Sequence, residues 1–383
     1  MNILVVHNFY KQAGGEDAVV DNEVELLRSH GHSVTLFGVN NDAIQGVWRR
    51  ISALLGVVYN FRSKCALVKM LKDLRPDVVH VHNFFPLLSP SIFDACHEVG
   101  IPSVLTLHNY RILCPTAILY HDGKIDERSL HGHCWWTVPA RVYRNSFVGS
   151  IGAACMVEFH RWRGTWETKV DRFIALTEFA KRKFVEGGLP AEKVEVKPNA
   201  TRVDLKLPFN AKRHGALFVG RLSQEKGIEV LIDAWQAIEY PLRVAGTGPM
   251  GNFLDRAGDA LMPLGSLTPK SVRSEMEKAA FLVMPSVWYE TFGMVIIEAF
   301  AAGLPVIASN HGSMSEIVEE GETGLLFRAG DSLDLAAKVR WAVAHPDEMQ
   351  KMGANARRVY EQKYTAEANY CSLMRVYEAV LCD

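Results

Sequence analysis

Twelve short runs rich in valine, isoleucine, leucine and phenylalanine, separated by stretches of helical character, set the rhythm of this chain. In most of them the apolar residues are consecutive rather than alternating, as in VVHVH and FLVMPS. A strand that is apolar on both faces needs cover on both, and intervening helices supply it when the strands run parallel. The runs fall near 2–8, 33–39, 77–82, 103–108, 172–177 and 194–198. They resume near 215–220, 242–246, 261–265, 280–285, 304–308 and 324–327. Two such sets predict an α/β chain with two doubly wound, Rossmann-like domains. The segment VKPNATRVDLKLPFNAKRHG, residues 196–215, carries two prolines and a polar cluster and reads as the linker. The expected division is an N-terminal domain over 1–198, a C-terminal domain over 199–364 and a closing helix over 365–383. That helix shows Tyr370, Leu373, Met374, Tyr377 and Leu381 at helical spacing and is expected to pack back on the first domain.

Composition removes several classes of function. Of the residues 48% are apolar and 22% charged, with a formal net charge of −1, so the basic excess typical of nucleic-acid binders is missing. No run of about 18 apolar residues offers a membrane span. The opening MNILVVHNFY reads as a first strand rather than a signal peptide. Seven scattered cysteines fit a reducing, cytoplasmic setting.

Ligands of open α/β sheets bind beyond the carboxyl ends of the strands, so the loops after each run hold the candidates. In the first half these are Asn8, Gly14, Gly15, His82, Asn83, His108 and Asn109. In FVGRLSQEKGIEVLIDAW, Arg221 and Lys226 precede a helix start, where backbone amides already favour an anion. A guanidinium fork and an ammonium point charge there suit a diphosphate, with ordinary solvated surface charge as the competing account. In VAGTGPM, Gly246 and Gly248 form a turn that a ligand can approach closely.

The segment PSVWYETFGMVIIEAF places Glu290 just before a helix expected from about Phe292 to Ala302, and Glu298 in its second turn among apolar neighbours. Burying a carboxylate is costly unless something pairs with it. The two carboxylates could grip different parts of one elongated ligand, with Glu290 as a helix cap and Glu298 in solvent as the competing account, and the amides of Gly293 and Met294 at the helix start suit phosphate. His80 and His82 are assigned to opposite faces of their strand, His82 toward the site and His80 in the core. Between residues 110 and 145, Cys114, His121, His131, His133 and Cys134 fit no standard zinc spacing, and with Trp135, Trp136, Tyr143 and Arg144 the loop is read as shaping an acceptor site. No Asp-x-Asp motif stands out, so neither a metal nor a cofactor is expected. Residues 43–72 carry six basic side chains and no acidic one, interleaved with Trp48, Leu54, Leu55, Val57 and Val58. They present either a solvated helix face or a surface for anionic lipid.

Glu-x7-Glu after a Pro-Ser strand end, together with GRLSQEKG at 220–227, GLPVIAS and GSMSEIVEEGETGLLF, resembles the retaining glycosyltransferases of family 4. The opening NFYKQAGGEDAVVDNEVELLRSHGHSVTLF is similar to theirs as well. The resemblance covers nearly the whole chain and implies the GT-B fold, two Rossmann-like domains facing a central cleft. It implies that Arg221 and Lys226 bind the diphosphate of a nucleotide sugar, that Glu298 holds the ribose and that Glu290 holds the transferred sugar. Amides from Phe292 to Met294 would support phosphate and sugar, Gly14 and Gly15 would lie over the phosphates, and His108 would touch the donor sugar near the reacting carbon. The likeness carries to Asn199 but not to Asp204, because PNATRVDLKLP inserts residues where relatives read Asn-Gly-Val-Asp. The activity implied is metal-independent transfer with retention, without a covalent nucleophile. The donor is a UDP-sugar first and GDP-mannose second, and the acceptor a glycan or lipid-linked glycan of polysaccharide biosynthesis. The resemblance also favours a peripheral place at the inner membrane face through 43–72, and no nucleic-acid partner. A GT-B nucleotide-sugar epimerase and a catalytically silent nucleotide-sugar-binding scaffold are the alternatives.

Overall fold

The computed structural model describes residues 1–9, 15–40, 56–201, 213–257 and 260–382. Gly14 and the part of the basic stretch from 43 to 55 lie outside them. The chain divides into two units. The first comprises Met1–His121, Asp126–Pro198 and Asn369–Asp383, and the second Asp122–Ile125 and Asn199–Ala368.

The first unit is built on strands β1 (Asn2–Phe9), β2 (Ser33–Asn40), β3 (Val78–Asn83), β4 (Ser103–Thr106), β5 (Arg172–Ala175) and β6 (Val194–Val196). They form one six-stranded sheet in the order β2-β1-β3-β4-β5-β6, and every pair is parallel. The consecutive apolar residues of β1 explain the arrangement, since Ile3 to Val6 are all buried. Helix α1 (Gly15–Ser29) packs on one face through Val20, Val24 and Leu27, and the same cluster takes in Val78 and Val104. The order of strands reverses between β1 and β3, which makes the loops after those two strands the expected ligand crevice.

The second unit holds β7 (Ala216–Val219), β8 (Leu242–Ala245), β9 (Leu261–Gly265), β10 (Phe281–Met284), β11 (Val306–Ser309) and β12 (Gly324–Phe327). Their order is β9-β8-β7-β10-β11-β12, again all parallel. The direction of winding reverses between β7 and β10. Helix α2 (Ile228–Trp235) follows β7, and helix α3 (Met294–Ala301) follows β10. Phe218, Leu231, Trp235, Val244, Val283 and Phe327 are among the residues of its core.

The last helix, α4 (Ala366–Cys382), belongs from Asn369 onward to the first unit. Its Leu373, Val376, Tyr377 and Val380 join the cluster around Ile3 and Val5, with Tyr370 and Met374 at the margin. Leu381 does not belong to that stripe. It lies one position past Val380 and is 46% exposed. No helix among the described residues is long and apolar enough to cross a membrane.

Candidate active site

The second unit gathers its candidates where the winding reverses. Three loops, after β7, β8 and β10, are stitched together by backbone hydrogen bonds. Gly220 N–H donates to Ala245 O at 3.0 Å, Leu222 N–H to Thr247 O at 3.0 Å and Val287 N–H to Glu225 O at 2.9 Å. Two glycines make this closeness possible. A Cβ on Gly246 (φ +148°) would lie 1.8 Å from Gly220 O, and one on Gly227 (φ +72°) would lie 1.8 Å from Pro285 O. No other residue fits either place. Gly248 lies likewise against the Leu222 backbone.

Glu290 is buried at the carboxyl end of β10, and its Oε1 collects three donors. Lys226 Nζ stands at 2.5 Å, Ser286 Oγ at 3.0 Å and Trp288 Nε1 at 3.1 Å. The Trp288 ring also faces the ammonium, 5.3 Å from its centroid. Ser313 Oγ donates to the Glu290 carbonyl at 2.7 Å and fixes the backbone. Among the described residues no donor reaches Oε2. The sequence reading gave Lys226 to a diphosphate and Glu290 to a sugar. In the structure these two groups pair directly, so a ligand meets them as one unit.

Glu298 sits in the second turn of α3 with most of its surface covered, and no described residue hydrogen-bonds its carboxylate. Burial pushes its carboxyl up to about 7, against a smaller opposing pull from Arg273. Phe292 is buried, Gly293 (φ +101°) caps the helix, and α3 begins at Met294. Arg221 is exposed and forms no ion pair among the described residues. Asn199 is 3% exposed, yet its Oδ1 has no hydrogen-bond partner. Such an orphan costs about 1–3 kcal/mol, the signature of an acceptor kept for something else.

In the first unit, Gly15 is the exposed first residue of α1. His108 follows β4, partly exposed, with Nε2 3.0 Å from His82 Nδ1. Burial, then the neighbouring His82, hold the His108 imidazole well below its ordinary value, so it is neutral at pH 7. Burial takes His82 down to about 4. His80 and His82 do not point to opposite faces. Residues two apart on a strand share a face, and the imidazoles lie 4.2 Å apart, both turned toward Glu23 of α1. Glu23 Oε1 is 3.0 Å from His80 Nδ1 and 3.1 Å from His82 Nε2, while Oε2 takes Lys197 Nζ at 2.9 Å. Neither Glu23 nor Lys197 is a candidate on sequence grounds. The available signal was a carboxylate among Val20, Val24 and Leu27 on the inner face of α1.

Glu23, His80 and His82 bring three ligand-type atoms within 4.8 Å. Lys197 already neutralises the carboxylate and His80 engages Tyr377 OH and Thr106 Oγ1, each at 2.7 Å, while Glu23 Oε1 and His82 Nε2 face each other without an aligned hydrogen bond. A second group, Glu127, His131 and Glu186, is served by Lys183 at 2.6 and 2.8 Å. The residues of the 110–145 loop scatter. Cys114 Sγ meets Thr116, Cys134 Sγ meets the Ala154 carbonyl, His133 pairs with Glu158 and His121 packs near Trp136. All seven cysteines are free thiols.

Two Rossmann-like units, each on a parallel sheet, give the GT-B architecture. Residues 13–205 match the family model described as Glycosyltransferase Family 4, half of the chain by themselves, and residues 201–359 match Glycosyl transferases group 1. The chain belongs to this glycosyltransferase family. An uncharacterised glycosyltransferase of Methanocaldococcus jannaschii is 24% identical over 99% of this chain and 98% of its own. The phosphatidyl-myo-inositol mannosyltransferase of Mycobacterium leprae is 31% identical over 56% of this chain and 61% of its own. Among solved structures, the UDP complex of HepE from Anabaena has a TM-score of 0.69 at 18% identity, covering 99% of this chain and 100% of that one.

Proposed function

We propose that the second unit binds a nucleotide-diphosphate sugar and that the chain transfers the sugar, with retention and without a metal, to a glycan or lipid-linked glycan. The observation that carries the reading is Glu298, a largely covered carboxyl with no hydrogen-bond partner among the described residues, beside a switch point that also holds the Lys226–Glu290 pair. In this reading a ribose supplies the hydroxyl pair that Glu298 lacks, and the free Oε2 of Glu290 accepts from the sugar. Arg221 and the Lys226 ammonium face the diphosphate, with the Gly293 and Met294 amides, and disperse the charge that grows on it as the anomeric bond breaks. Asn199, the Gly246–Gly248 turn, Gly14 and Gly15 are further donor contacts in this reading. His108 meets the donor sugar.

A UDP-sugar is favoured because HepE is seen with UDP and with UDP-glucose. The mannosyltransferase of M. leprae, named for phosphatidyl-myo-inositol, keeps GDP-mannose second and supports a lipid-bearing acceptor. The basic stretch at 43–72 would then rest on the membrane surface. The test is calorimetric titration of the native chain and Glu298→Ala with UDP, GDP, dTDP and ADP, repeated in EDTA. One diphosphate is expected to bind the native chain, undisturbed by EDTA, and to fail with the variant. Equal binding by the variant, or none by the native chain, rejects the assignment.

A further inference from the structure

The least expected feature of the first unit is a chain of polar side chains sealed inside it. It starts on α4, where Tyr377 OH lies 2.7 Å from His80 Nδ1. It continues to Glu23, which Lys197 pins from the other side, the lysine being 1% exposed and also 3.3 Å from Asn369 Oδ1. A structural network could end there, with its charges paired. Instead His82 adds a second imidazole, whose Nε2 faces Glu23 Oε1 and whose Nδ1 meets His108. The strand is built for this. Pairing of β3 with β1 slips from Val6 opposite Val81 to His7 opposite Asn83, so His82 is the extra residue of a bulge, a device that re-aims a side chain.

We propose that Glu23 and His82 are positioning residues for His108, a carboxylate–imidazole–imidazole relay that fixes which ring nitrogen of His108 carries its proton.

The direction of the relay follows from donor and acceptor rules. Lys197 and both imidazoles hold the Glu23 carboxyl well below its ordinary range against the cost of burial, so it is ionised and can only accept. Of the ring atoms near its Oε1, His80 Nδ1 is engaged by Tyr377 OH, and His82 Nε2 faces the carboxylate alone. The approach to His82 Nε2 is 3.1 Å but poorly aligned, which leaves both atoms without a directional partner. A hydrogen there still avoids opposing two lone pairs. With its proton on Nε2, neutral His82 has an acceptor at Nδ1, and His108 must donate from its own Nε2 across 3.0 Å. The lone pair of His108 is thereby placed on Nδ1. A cavity of about 30 Å³ adjoins the contact, lined by both imidazoles, Asn83 and Arg111. It has room for about one water. The titratable groups around His108 are His82 and His80 from β3, His7 from β1 and Glu23 from α1.

The role of the relay rests on the reading that His108 meets the donor sugar, and the two can fail separately. Histidine ring nitrogens are observed by long-range ¹H–¹⁵N correlation on the full chain labelled with ¹⁵N-histidine, at pH 5 to 8. His108 is expected as the single Nε2-protonated tautomer in the native chain and as a tautomer mixture in His82→Phe and Glu23→Gln. His82→Phe keeps the Glu23–Lys197 pair and guards against a variant that does not fold. If transfer occurs, kcat should fall at least tenfold in both variants with KM for the nucleotide sugar unchanged. His82→Asn, which retains a group near the Nδ1 position, should recover more than His82→Gln. An unchanged His108 tautomer in folded variants overturns the relay and reduces the cluster to packing. Absence of transfer by the native chain would sink the role of His108 alone, since the tautomer is read without turnover.

Discussion

Glu298 offers a test that needs no knowledge of the acceptor. Burial holds its carboxyl at about 7, so roughly half is ionised at pH 7. If the ribose hydroxyls bind the carboxylate, the competent fraction is about 0.9 at pH 8 and about 0.1 at pH 6, and the apparent Kd varies as its inverse. Affinity for UDP-glucose should weaken about tenfold between pH 8 and pH 6, or about 1.4 kcal/mol. At pH 7 binding should release about half a proton per site. UDP-glucose is the better probe because the terminal phosphate of UDP titrates in the same range.

The assay is titration calorimetry in two buffers of different ionisation enthalpy at each pH. Glu298→Gln keeps an acceptor oxygen but cannot titrate, so its affinity should be flat across the range. The sign for stability is opposite. The folded carboxyl keeps a proton that an unfolded one loses above 4.5, so stability falls as pH rises from 4.5 to about 7. Above that window Glu298→Gln should be the more stable chain without ligand, by up to about 3 kcal/mol. Parallel pH curves for the two proteins would show that Glu298 does not meet the ligand. Proton uptake instead of release would show that the neutral acid binds.

Other consequences follow from the same geometry. Gly227→Ala should cost about 3 kcal/mol or more and abolish diphosphate binding, because its methyl would meet the Pro285 carbonyl; denaturant unfolding and calorimetry check both. Lys197→Met leaves the Glu23 charge buried and unpaired and should destabilise the first unit by about 3–5 kcal/mol, read as hydrogen exchange in β3 and β4. Glu23→Leu in the same chain should recover part of that loss. On acidification from pH 6.5 to about 4 the unfolded chain takes up protons that buried His82 and His160, both held at about 4, refuse. The first unit should therefore lose stability across that window, by up to about 3 kcal/mol for each histidine. Hydrogen exchange in β3 that does not quicken from pH 6.5 to 4.5, once corrected for intrinsic rates, would contradict this.

The strands were legible because their chemistry is local. A run such as FLVM, apolar at consecutive positions and bracketed by turn residues, can be buried on both faces only in a covered parallel sheet, and all twelve runs form strands. The elements that carry Gly246, Glu290 and Glu298 were legible for the same reason, since each lies in a short segment whose type is clear. What the sequence hid was pairing across distance. Lys226 and Glu290 are 64 positions apart and read as holding different parts of a ligand, yet they hold each other. The faces of His80 and His82 were misassigned by neglecting the two-residue period of a strand. Their common partner could not be named, because Glu23 arrives from α1 and Lys197 from beyond β6.

The two charge clusters differ in what they leave over. Among the described residues of the second unit, Arg221 lacks an ion pair, Glu290 keeps one oxygen open, and neither the Glu298 carboxylate nor Asn199 Oδ1 has a hydrogen-bond partner. The buried ones among them cost stability until a partner of matching chemistry meets them, whereas exposed Arg221 is solvated. In the first unit Lys197 pairs with Glu23 and Tyr377 with His80, and among the described residues the path through His82 leads on to His108. Fully paired buried charges rigidify what they touch. If His108 meets the donor sugar as proposed, a rigidly held imidazole is what transfer asks of it, because a group that acts on one carbon has to be held still.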